Sequence, residues 1–284
     1  MTEPAPRIIA HRGFAGVAPE NTLGAFEAVG DGRHQADMIE FDVMPSKDGD
    51  VVVFHDHRLD DRGKTASRGI TDGTGVVWEI PTETLCNATI LGSDETVPLL
   101  AEVLDVVPPT IGLNVELRNP GTFDIRFGEA LPDSHVADRR TMWDPFVERV
   151  VTLLDDVRHE LLFSSFCEAA IASARDIAPD IPVGVNVHDS IEDALSIVDE
   201  YECEGIHPRL NMIKGTPFFE TSYGSVRDPD FGDIDLLTEA TDRAIDVNVW
   251  TIKTWRHAGV FDRAGVDGLI ADYPGLNAES GISR

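Results

Sequence analysis

The chain has 284 residues, 42% of them hydrophobic, and a formal net charge of -28, with 51 acids against 23 bases. That length suits one large α/β unit, and the charge argues against nucleic acid as a partner, because phosphates would meet a like-charged surface. No run approaches the roughly 18 apolar residues of a membrane helix, and no basic stretch leads into an apolar one after Met1, so a cytoplasmic protein without stable membrane insertion is expected.

Along the chain, short β-branched runs alternate with stretches of helical periodicity. Strands are expected at Arg7–Ala10, Met38–Val43, Ile111–Leu117, Leu161–Ser165, Val183–Val187, Gly205–His207, Val247–Thr251 and Gly268–Ala271. Between most of them lie the amphipathic stretches Thr22–Val29, Leu99–Val106, Pro145–Asp156, Glu168–Ile177, Ile191–Glu200 and Asp235–Ile245. This alternation argues for a parallel sheet, and eight parallel strands suit a closed (β/α)8 TIM barrel better than an open sheet. No GxGxxG follows the first strand, which removes the main support for a dinucleotide fold. The apolar run Val51–Phe54 follows the second strand after only Pro45–Asp50. A parallel return needs about a dozen residues, so this run is expected to form an antiparallel hairpin outside the ring. Segments near 58–95, 120–143 and 208–232 read as loop insertions, and long loops on a compact barrel tend to carry function.

Chemistry-bearing residues gather at the ends of these strands. Ala10-His11-Arg12-Gly13 closes the first. Its imidazole can move protons near neutral pH and its guanidinium fork matches phosphate oxygens, although a surface histidine beside an arginine looks the same. On the second strand Glu40 and Asp42 share one face, while Ile39, Phe41 and Val43 take the other. Two carboxylates in a barrel mouth repel unless a cation stands between them, either a hard divalent ion or an arginine. Phe54-His55-Asp56 closes the hairpin and returns a second imidazole toward that face; Asp56 either orients the ring or is a turn acid facing solvent. Asn114-Val115-Glu116-Leu117-Arg118 puts Glu116 and Arg118 on one face of the third strand, as a third carboxylate and a second phosphate contact, or as a plain exposed glutamate. Phosphodiester hydrolysis needs such a set: positive groups neutralise the phosphoryl oxygens while one imidazole takes a proton and the other gives one. The GxSxG elbow that acyl transfer would want is absent.

The order and spacing of His11-Arg12-Gly13, Pro19-Glu20-Asn21-Thr22 with Ala25-Phe26, Ile39-Glu40-Phe41-Asp42-Val43, Lys47-Asp48-Gly49 and Val53-Phe54-His55-Asp56 resemble the signature of glycerophosphodiester phosphodiesterases. Val97-Pro98-Leu99-Leu100, Asn114-Val115-Glu116-Leu117, Ser165-Phe166, Trp250-Thr251 and Ala271-Asp272-Tyr273-Pro274 extend the likeness over nearly the whole chain. The resemblance implies hydrolysis of a small glycerophosphodiester to an alcohol and glycerol phosphate. It implies His11 and His55 as the acid/base pair, Glu40, Asp42 and Glu116 as ligands of Mg2+ or Ca2+, and Arg12 as a phosphate contact. Glu20 and Asn21 lie beside the site in the family, although Asn21 could equally cap the helix at Thr22–Val29. As in similar phospholipase C enzymes, the substrate's neighbouring hydroxyl is expected to attack first, giving a cyclic phosphate. Arg118 stands where the family usually has lysine, and Lys253 where it usually has asparagine, which leaves the pocket rim and substrate preference open. Trp250 either stacks on the glycerol or fills the barrel.

Two other functions remain in view. A phospholipase C- or D-like enzyme on intact lipid would want apolar loops at the mouth, where these are acidic. A non-catalytic ligand-binding barrel would be expected to lack a histidine or a carboxylate of the five, and all five are present. Cys86, Cys167 and Cys203 are far apart and odd in number, which suits buried small hydrophobes rather than disulfides or zinc. Only four of the 23 bases are lysines. A surface so acidic repels itself at low salt and is screened at high salt, which fits a halophilic cytoplasm. Oligomeric state is left open.

Overall fold

The computed structural model describes residues 5–60, 71–222 and 231–276. Two expected insertions therefore lie partly outside the described residues, at 61–70 and 223–230.

Eight strands close a parallel ring. In ring order they are β1 (Arg7–His11), β2 (Met38–Pro45), β4 (Gly112–Leu117), β5 (Leu161–Ser165), β6 (Val183–Asn186), β7 (Gly205–His207), β8 (Asp246–Ile252) and β9 (Gly268–Ala271), which returns to β1. All eight expected strands are present, each bound within two residues of its expected place. β3 (Val51–Val53) pairs antiparallel with β2 alone, as the hairpin outside the ring. Helices α1 (Leu23–Gly30), α3 (Leu100–Val106), α4 (Asp133–Leu154), α5 (Glu168–Ile177), α6 (Ile191–Tyr201), α7 (Leu236–Arg243) and α8 (Trp255–Ala264) occupy the crossovers, and a single turn, α2 (Thr82–Leu85), follows the hairpin. No described helix is long and apolar enough to cross a membrane.

The two faces of each strand divide the interior. Ile39, Phe41, Val43, Leu113, Val115 and Leu117 join the main core with the helices, where Phe41 meets Phe26 at 5.7 Å between ring centroids. Full burial of each such side chain contributes about 1.5–3 kcal/mol, and this outer layer holds the ring around a partly polar interior. Inside, Ile9, Met38 and Ile270 cluster with Leu162 and Trp250. One step further along β1 and β2 the inward positions become His11, Glu40 and Asp42, because side chains alternate with a period of two.

Register decides which of these polar groups become neighbours. His11 lies opposite Glu40 and Asp42 opposite Glu116, on strands about 4.8 Å apart. β2 overruns the ring: Val43, Met44 and Pro45 pair with Val53, Val52 and Val51. The hairpin turn is tied by the Ser46 hydroxyl, which accepts from the Asp48 and Asp50 amides at 3.1 and 3.2 Å. The return strand then bonds to the ring itself, Phe54 N donating to Asp42 O at 3.0 Å. His55 follows directly, above the end of β2.

Expectations about two of the crossovers need correction. The stretch near 58–95 is not merely a polar loop: Leu59, Val77, Ile80, Leu85, Ala88, Ile90 and Val97 form a second small core against Met44, Val52 and Phe54 on the hairpin. Its apolar residues are spaced singly, so no helical or strand period betrays them. The loop expected at 120–143 ends at Pro132, because α4 starts at Asp133 and runs through Pro145. Val136, Trp143, Phe146, Val147, Val150 and Leu154 bury one continuous stripe, and that burial outweighs the one intrahelical bond a proline forgoes. Around 208–222 the described chain is loop apart from a buried 3-10 turn at Leu210–Met212, and Phe218 and Phe219 pack on the main core. Helix α8 was not among the expected helices, since Ala258 and Phe261 alone are buried on it.

Candidate active site

The connection from β1 to α1 is tightly folded. Arg12, Gly13 and Phe14 adopt φ of 52°, 75° and 66°, and Asn21 a φ of 56°, a region that side-chain-bearing residues rarely enter. A Cβ at Gly13 would sit 2.8 Å from that of Ala25, so no larger residue fits. The conformation is held by bonds to β2: Arg12 N donates to Glu40 O at 2.8 Å and to Glu40 Oε2 at 3.1 Å. Asn21 donates from Nδ2 to Asp42 Oδ2 at 2.9 Å. The helix cap is instead Thr22, whose hydroxyl accepts from Ala25 N; the alternative role for Asn21 as cap does not hold.

Three carboxylates converge at the barrel mouth. One oxygen each from Glu40, Asp42 and Glu116 lies within 4.8 Å of the others, and all three residues are buried. Two guanidiniums face them. Arg12 pairs with Glu20 at 2.7 Å and, through Nε, with Asp42 at 3.2 Å. Arg118 donates to Glu116 Oε1 at 3.0 Å and to His55 O at 3.3 Å, with its Nε 3.9 Å from Asp42 Oδ1. The arginine alternative to a metal is thus partly realised, but it leaves a deficit. Burial pushes the Glu40 carboxyl well above its usual range, and repulsion from Asp42 and Glu116 adds to it. Burial, then repulsion from Asp42, raises Glu116 to about 7. Asp42 is held down at about 2 against its burial, by Arg12, His55 and Arg118. Its Oδ1 is buried without a hydrogen-bond partner. Hard oxygen donors, an unsatisfied buried carboxylate oxygen and mutual repulsion are what a divalent cation between the three would resolve, so the donor set fits such an ion.

Both histidines stand at this cluster, each pinned through Nδ1. His11 Nδ1 is 2.6 Å from Asp272 Oδ1, and its Nε2 lies 3.9 Å from Glu40 Oε2. His55 Nδ1 is 2.7 Å from Asp56 Oδ1, and Asp56 is buried rather than facing solvent. Burial lowers the His55 imidazole well below its ordinary value, and Arg118, Arg12 and His11 lower it further. Trp250 packs on the inner apolar cluster, donates from Nε1 to His207 O at 2.7 Å, is half-buried and meets Phe166 edge-on at 5.7 Å.

Sequence reasoning missed the groups that support these residues. Asp272 was visible only as part of a motif, yet it directly follows β9, and the strand-end rule that singled out Glu116 would have found it. It binds Lys253 Nζ at 3.2 Å as well as His11, and these bonds hold it far below the usual carboxylate range despite its burial. Phe127 and Phe166 have ring centroids 5.1 and 5.8 Å from the Arg118 guanidinium; Phe166 was visible only as part of a motif, and Phe127 had no signal beyond being aromatic.

The displacement of Glu116 from 4.5 to about 7 corresponds to on the order of 3 kcal/mol. In that window the native state binds more protons than the unfolded chain, so stability falls as pH rises. In EDTA at fixed salt, the melting temperature is expected to drop between those pH values. Addition of a divalent ion, or Glu116→Gln, should flatten the slope; an equally steep slope in both would contradict the repulsion described above.

A model of the Glycerophosphoryl diester phosphodiesterase family matches residues 11–276. The chain is 31% identical over 285 residues to lysophospholipase D GDPD1 of Mus musculus, covering 94% of this chain and 83% of that one. It is 27% identical over 282 residues to a glycerophosphodiester phosphodiesterase of Bacillus altitudinis, covering 94% and 95%. Its fold matches that of a phosphodiesterase of Oleispira antarctica, solved in complex with the product sn-glycerol-3-phosphate, with a TM-score of 0.71, 26% identity and coverage of 95% and 94%. The chain belongs to the glycerophosphoryl diester phosphodiesterase family.

Proposed function

We propose that the protein hydrolyses small glycerophosphodiesters to an alcohol and glycerol phosphate, with His11 and His55 exchanging the protons and Glu40, Asp42 and Glu116 holding Mg2+ or Ca2+. The observation that carries this reading is the convergence of three buried carboxylates, with His11 Nε2 3.9 Å from Glu40 and both imidazoles fixed through Nδ1 by a further acid. A divalent ion bound there would supply positive charge to the phosphoryl oxygens.

The remaining steps belong to the protein's own groups. Arg12 and Arg118 offer planar forks to the non-bridging phosphate oxygens. His55, kept neutral by burial and its cationic neighbours, accepts the proton of the attacking hydroxyl, and His11 hands one to the departing alkoxide. When the attacking group is the substrate's neighbouring hydroxyl, the first product is a cyclic phosphate, which water opens with the two histidines in exchanged roles. Trp250 offers an apolar wall for the glycerol. A second reading, cleavage of a lysophospholipid, draws on the relative named lysophospholipase D. The acidic, lysine-poor composition supports a salt-adapted cytoplasmic setting.

Release of glycerol phosphate from diesters and from a lysophospholipid should therefore be compared with and without EDTA in molar KCl. Loss of activity in chelator, restored by Mg2+ or Ca2+, is expected; full activity in chelator, or none on any diester with metal supplied, would sink the proposal. His11→Ala and His55→Ala should each lower kcat by about 10²–10⁴-fold while the circular dichroism spectrum stays native, and a wild-type rate in either removes its role. The melting temperature should climb from low to molar KCl, whereas indifference to salt would refute the halophilic setting.

A further inference from the structure

A chain of buried polar side chains crosses the barrel from the acidic cluster to its far wall. Asn186, at the end of β6, donates from Nδ2 to Glu116 Oε2 at 3.1 Å. Its Oδ1 lies 3.0 Å from His207 Nδ1 on β7, and His207 Nε2 lies 3.1 Å from Asn248 Nδ2 on β8. Glu116, Asn186, His207 and Asn248 are 8%, 5%, 0% and 7% exposed.

The directions of these bonds are not free. Ionised, as a metal ligand must be, the Glu116 carboxylate only accepts, so Asn186 then turns its amino group to Glu116 and its carbonyl to His207. That carbonyl requires a donor, so the His207 proton sits on Nδ1, and the bare Nε2 accepts from Asn248. Burial pushes His207 down to about 4, in keeping with a neutral ring that has one donor and one acceptor. Reversal of any one member would set two acceptors or two donors face to face in a dry interior, which costs about 1–3 kcal/mol for each group left unsatisfied.

Two glycines in the strands make room for this chain. A Cβ at Gly184 would lie 2.5 Å from His207 Nε2, and one at Gly268 would overlap Asn248 Oδ1. Glycine inside a strand is a poor choice for the sheet; here it admits side chains that no apolar core would need.

We infer that Asn186 and His207 are positioning residues: the bond to Oε2 fixes the orientation of the Glu116 carboxylate, whose Oε1 accepts from Arg118, for a divalent cation shared with Asp42 and Glu40. This rests on the metal reading of the acidic cluster. Outer groups that orient a ligand commonly alter metal affinity by 10–100-fold. Asparagine in place of a histidine keeps a donor near the Nδ1 position, whereas leucine keeps only bulk.

Binding of Mn2+, Mg2+ and Ca2+ to the full chain can be measured by titration calorimetry in molar KCl, for the wild type and for Glu116→Gln, Asn186→Ala, His207→Leu and His207→Asn. Asn186→Ala and His207→Leu should weaken binding by about 10–100-fold, and His207→Asn should restore most of it. In the weakened variants, kcat should recover as metal is raised while the substrate KM stays put. Wild-type affinity in both Asn186→Ala and His207→Leu, with Glu116→Gln impaired, would overturn the inference and leave the metal site standing. Equal, weak binding by wild type and Glu116→Gln would instead remove the metal reading, and the inference with it. Should His207→Leu fail to melt cooperatively, Asn186→Ala and His207→Asn decide the matter alone.

Discussion

Three carboxylates are held together in the mouth of a barrel whose outer layer is apolar. Burial of an ion costs several kcal/mol even after the surroundings relax, and like charges a few ångströms apart add to that cost. The neighbourhood is organised as a response. Arg12 and Arg118 face the acids, the Arg12 amide and Asn21 donate into them, and Asn186 secures the remaining oxygen of Glu116. What these groups leave over, a Glu40 and a Glu116 that resist ionisation and a bare oxygen on Asp42, is the electrostatic room for a divalent cation.

β2 is the element through which these demands are met. It pairs with β1, β4 and β3 at once, so the strand that points Glu40 and Asp42 inward also brings His11 and Glu116 beside them and carries the hairpin that delivers His55. Beyond the hairpin, the small core of Leu59, Val77, Leu85 and Ile90 packs against Met44 and Phe54. That packing makes the overhang a rigid ledge rather than a loose loop, which is what a positioned imidazole requires.

The departures from the family pattern acquire physical sense in this setting. At position 118 a planar guanidinium reaches Glu116, approaches Asp42, bonds the His55 carbonyl and lies over Phe127 and Phe166. A lysine ammonium, a point charge on a flexible stem, would not occupy such a slot in the same way. Lys253 meets Asp272, the acid that holds His11, so the change at the pocket rim reaches the imidazole through its carboxylate.

The sequence by itself determined the strands, the hairpin and the inward pair Glu40 and Asp42, because these depend on a period of two, on the length of a turn and on the apolar content of short runs, all of them local. It also carried His11, His55 and Glu116, since each ends a strand or hairpin inside a recognisable motif. The start of α4 was obscured by Pro145, whose local preference yielded to a buried stripe extending in both directions. Only the tertiary structure decided that Asp272, from the far end of the chain, holds His11, and that Asn186, His207 and Asn248, on three different strands, form one line to Glu116. Those groups meet through the register of neighbouring strands around a closed ring, and register is a relation across space that no spacing along the chain records.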